Sequence, residues 1–124
     1  MREDSVWTKR VVAAIGRIAD PAFQQRAWLG HGPEVASFLE TYNTLYDQAF
    51  EDFLVQPEWE QTELPHAVRL EMIRLDQLLE AYQVPGEDAD ILADPAWQEV
   101  VHQAQQVLQT IGEKAPNARQ EGNR

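Results

Sequence analysis

Between Trp7 and Ile18 the large apolar residues Trp7, Val11, Ile15 and Ile18 follow one another at spacings of four, four and three. That period puts them on one face of an α-helix, whereas a half-buried strand would alternate every second residue. The pattern recurs along the chain, each time closed by a helix breaker. The first helix is expected from Asp4 or Ser5 to Ala19. Asp20 and Pro21 suit the N-cap and first position of a second, which reaches Leu29 and stops at Gly30. After the connector GHGP, Pro33 opens the longest segment, in which Val35, Phe38, Leu39, Tyr42, Leu45, Tyr46, Ala49, Phe50 and Phe53 share a broad apolar face that Pro57 ends. Leu64, Val68, Met72, Leu75, Leu79 and Tyr82 form a fourth stripe in near-heptad spacing, and Trp97, Val100, Val101, Ala104, Val107, Leu108 and Ile111 line a last helix that starts at Pro95. No segment alternates between hairpin turns. The fold class is therefore all-α: a single compact bundle of about five helices over residues 1–112, with a disordered, flexible polar tail over 113–124.

The stretch IADPAFQ, Ile18 to Gln24, returns as LADPAWQ, Leu92 to Gln98. Outside these seven positions the alignment fails, with QRAWLGHG set against EVVHQAQQ, which is not the behaviour of a repeat unit. The echo reads as two separate helix starts, each with Asp as cap, Pro at the first position, and an aromatic (Phe23, Trp97) turned back to the core.

The sequence contains no cysteine, which removes disulfides, thiolate nucleophiles and zinc-thiolate sites together and suits a reducing compartment. Its 124 residues are one domain's worth, enough to bury roughly two-thirds of the unfolded surface. The first apolar run is cut by Arg17, carries no cleavage-type small-residue site and never approaches the length of a membrane span. A cytoplasmic protein with no membrane contact is expected. Ten basic against 21 acidic residues give a formal net charge of −11, which repels phosphate backbones and disfavours direct binding of nucleic acid.

Chemistry-bearing motifs are scarce. Glu63 with His66 and Glu99 with His102 have the Glu-x-x-His spacing of di-iron carboxylate bundles, where the ligands project inward. Here the helical period turns Glu99, His102 and His66 away from the apolar faces. His31 lies between Gly30 and Gly32, a composition that fits a connector. The two serines, Ser5 and Ser37, lack a nucleophile-elbow setting, and the nucleotide-binding and zinc-hydrolase motifs are absent. Asp88 and Asp90 in GEDAD lack the further ligands of a calcium loop and read as a solvated turn. No catalytic, cofactor-binding or metal-ligating residues are assigned, and no enzyme is expected.

The most informative feature that remains is charge placement. From Ala27 through Val68 there is no Lys or Arg, while Glu34, Glu40, Asp47, Glu51, Asp52, Glu58, Glu60 and Glu63 all fall inside. On the long helix Glu40, Asp47 and Glu51 fall at spacings of seven and four, opposite the apolar face, and form an exposed anionic stripe. Glu51 and Asp52 lie in its last turn, where the helix dipole disfavours carboxylates. Beyond it, Trp59 stands among Glu58, Glu60 and Glu63 like an interface anchor ringed by steering charges. The candidate partner-binding residues are therefore Glu40, Asp47, Glu51, Asp52, Glu58, Trp59, Glu60 and Glu63. They suit a small, acidic, non-catalytic protein that neutralises or occludes a basic partner. An immunity protein against a toxin nuclease, or an inhibitor that mimics phosphate, has this profile of size and charge. The alternative is a homo-oligomeric helical module in which the Leu64–Tyr82 stripe, or the aromatic-rich third helix, is shared between two protomers.

Overall fold

The computed structural model describes residues 3–30, 37–57, 59–62 and 64–114. Among them are seven α-helices and one 3-10 helix: α1 (Glu3–Ile18), α2 (Pro21–Trp28), α3 (Phe38–Asp47), α4 (Phe50–Val55), the 3-10 helix Trp59–Thr62, α5 (His66–Ala81), α6 (Asp88–Leu92) and α7 (Pro95–Lys114). The described residues contain no strand, in keeping with the all-α expectation. The boundaries of α1, α2 and α5 agree with the periodicity, and α7 continues past Gly112 to Lys114. The tail from 115 onward and the connector with His31 lie outside the described residues.

Seven helices rather than about five result from two local events. The first is at residues 48 and 49, where the expected third helix divides into α3 and α4. No glycine or proline stands there. Instead the indole Nε1 of Trp7, on α1, donates to the Gln48 carbonyl at 2.6 Å, the acceptor that a continued helix would offer to the amide of Asp52. Ala49 then adopts the left-handed conformation, φ 56° and ψ 48°, and its carbonyl restarts the ladder by accepting from Phe53 N at 2.9 Å. The second is α6, where a solvated turn was expected. Glu87 and Asp90 form a capping box across the helix start, and Asp88 accepts from Phe38 N at 3.3 Å, tying α6 to α3.

The core is continuous through α1, α3, α4, α5 and α7. Val11, Ile15, Ile18, Leu45, Phe50, Phe53, Val68, Met72, Leu75 and Val107 are all buried. Glu71 with Gln103, and Tyr82 with Asp94, pair along α5 and α7 and show that these helices run antiparallel. The Leu64–Tyr82 stripe is spent on this internal packing, with Val68, Met72, Leu75 and Leu79 buried. The aromatic load of α3 and α4 is absorbed in the same way, Phe38, Phe50 and Phe53 being buried and Tyr42 and Tyr46 half-buried. Most of the apolar side chains on the two faces are thus packed within the chain, while Leu64, Tyr82, Tyr42 and Tyr46 keep part of their surface open and Leu39 and Ala49, expected on the third-helix face, are exposed.

Both echo segments are helix starts, as expected. Asp20 accepts from Phe23 N at 3.0 Å, and Asp94 accepts from Ala96 N at 3.1 Å while also receiving the Tyr82 hydroxyl at 2.7 Å. The two copies also meet, a contact that their local sequences do not announce. Gln24 is 0 % exposed; its Nε2 donates to the Arg17 and Ile18 carbonyls, both at 2.9 Å, and its Oε1 accepts from Trp97 Nε1 at 3.1 Å. The other indoles are satisfied too: Trp28 donates to Thr41 Oγ1 and Trp59 to the Pro65 carbonyl. Trp28, Trp59 and Trp97 are therefore buried, and Trp7 partly buried, without stranding a donor.

Gln24→Leu strips an acceptor from the buried Trp97 and a donor from the Arg17 and Ile18 carbonyls, and should cost about 2–3 kcal/mol in urea unfolding; a cost near zero would show that these hydrogen bonds are not formed. Ala49→Gly removes a left-handed penalty of roughly 1–2 kcal/mol against an unfolded-state entropy cost of roughly 0.4–1 kcal/mol, for an expected gain of about 0.5 kcal/mol. A lower urea midpoint in that variant would mean that residue 49 is not left-handed.

Candidate functional site

Once the third helix is divided, the acidic residues acquire new local reasons. Ser37 caps α3 by accepting from Glu40 N at 3.1 Å, which places Glu40 in a first turn. Glu51 and Asp52 lie in the first turn of α4, where the helix dipole favours carboxylates. The expected penalty at a helix end is therefore corrected to a small gain. Glu40, Asp47, Glu51, Asp52 and Glu60 are all exposed, while Glu58 and Glu63 lie outside the described residues.

Trp59 is not at the surface. It is 1 % exposed, set edge-on to Phe53 at 5.4 Å between ring centroids, with the Arg69 guanidinium 5.1 Å from its own ring centroid. Arg69 in turn donates to the Leu54 and Gln56 carbonyls at 2.7 and 3.3 Å, satisfying the C-terminal end of α4 and closing over the indole. A ring held this way is a core element, and the role of partner anchor is withdrawn from it.

The acids that the fold does bring together are Glu51 on α4 with Asp76 and Glu80 on α5. One carboxylate oxygen from each lies within 4.8 Å of the others, close enough to grip a single cation between them. Asp76 also accepts the Tyr46 hydroxyl at 2.6 Å, and Tyr46 stacks against Tyr42 at 5.1 Å between centroids. A hydrogen bond with Glu51, then the charge of Asp76, raises the Glu80 pKa above the ordinary carboxyl value. Burial, then the charges of Glu80, Asp76 and Glu51, raises that of Tyr42. For Tyr46 the rise comes from burial and from its hydrogen bond to Asp76, which keeps the phenol neutral.

Asp76 and Glu80 were missed from the sequence, although they left a signal. They stand four residues apart on one helix, a like-charge spacing that destabilises, and Glu80 lies in the last turn of α5, which has no basic residue. The dipole conflict first ascribed to Glu51 belongs to Glu80. The histidine motifs converge on nothing: His66, Glu99 and His102 are exposed. Concavities among the described residues lie elsewhere. A groove of about 560 Å³ runs between α1 and α7, lined by Gly16, Ala19, Leu108 and Gly112 among others. A pocket of about 250 Å³ lies between the two echo segments, over Gln24, Leu92 and Trp97.

A family model described as a domain of unknown function, DUF7945, matches residues 5–119. The chain belongs to this family. No curated protein and no solved structure matches it. No helix among the described residues of this DUF7945 member is long and apolar enough to cross a membrane.

A carboxyl whose folded pKa lies above its unfolded value holds an extra proton in the fold. Its stabilising share is complete below the unfolded value, about 4.3 for Glu, and is lost as pH rises through the folded value. The protein should accordingly become more stable on mild acidification from neutral pH. Glu80→Gln should raise the urea midpoint at pH 7 and flatten that pH dependence. An unchanged pH profile in the variant would remove Glu80 as its source.

Proposed function

We propose that this is a small acidic, non-catalytic binding protein, acting in the cytoplasm, that neutralises or occludes a basic protein partner. A toxin nuclease or a DNA-binding protein fits, because its phosphate-binding surface would complement the carboxylates. The observation that carries this reading is Glu80. Its charge opposes the end of its own helix, stands one turn from Asp76 and faces Glu51 across α4 and α5. In its charged form it works against the fold, whereas a Lys or Arg from a partner would attract all three carboxylates at once. The net charge of −11 would speed the approach of such a partner.

In this reading the contact surface is the exposed set Glu40, Asp47, Glu51, Asp52 and Glu60, with Asp76 and Glu80 added. Tyr42, half-buried beside the cluster, replaces Trp59 as the aromatic next to the charges. The absence of cysteine supports a reducing compartment.

The test is a pull-down from the native host at low and moderate salt, using the parent protein and the Glu51→Gln/Glu80→Gln pair. The double variant is expected to be more stable than the parent and yet to retain the basic partner at least tenfold less. Retention on the parent should fall as salt rises. Binding that is indifferent both to salt and to the double change would sink the proposal.

A further inference from the structure

We draw no further inference here: the strongest candidate, the carboxylate cluster of Glu51, Asp76 and Glu80 between α4 and α5, belongs to the site already described, and no second feature of the structure points to a ligand held there.

Discussion

The hydrogen bond from Trp7 Nε1 to the Gln48 carbonyl ties α1 to the point where the third helix divides. It supplies a partner to a carbonyl that the left-handed turn at Ala49 removes from the helical ladder. That turn makes α4 a separate element with its own N-terminus. Two features go with it. Glu51 and Asp52 stand at a favourable helix start instead of an unfavourable helix end, and Glu51 on α4 lies against Asp76 and Glu80.

The tryptophans act as a set of polar fasteners as much as apolar mass. Each donates one hydrogen bond, to the Gln48 carbonyl, Thr41, the Pro65 carbonyl or Gln24. Because an indole has a single fixed donor, each bond sets the orientation of a ring that also packs edge-on or tilted against its neighbours, as Trp28 does with Phe38 and Trp97. Among the described side chains no fully buried polar atom lacks a partner. The arrangement makes the core specific without disulfide or metal, in a chain whose surface charge works against compaction.

Helix positions were legible wherever one face of a helix packs on the core and a local signal ends it. Asp20 and Asp94 cap, Pro21 and Pro95 start, and the apolar stripes of α1, α5 and α7 are the buried faces. The break at Ala49 was not legible, since its cause lies on another helix, 41 residues earlier. Trp59 misled for a related reason: its acidic neighbours in sequence suggested exposure, but Phe53 and Arg69 enclose it in space. The acidic surface could be seen as a composition; the cluster could not, because it joins Glu51 to two residues that follow the cation-free stretch. Asp76 and Glu80 do announce themselves by their four-residue spacing, a sign readable only with the helix end already in place.

The α3–α4 break is what sets Glu51 against Glu80. Carboxyl-carbon NMR titration of Glu80, in the parent protein and in Trp7→Phe, tests it most directly, because phenylalanine keeps an aromatic ring on α1 next to Phe53 and removes the donor. Glu80 should titrate above the ordinary carboxyl range in the parent and fall back toward it in the variant. An ordinary titration in the parent, or the same raised value in both proteins, would contradict the account.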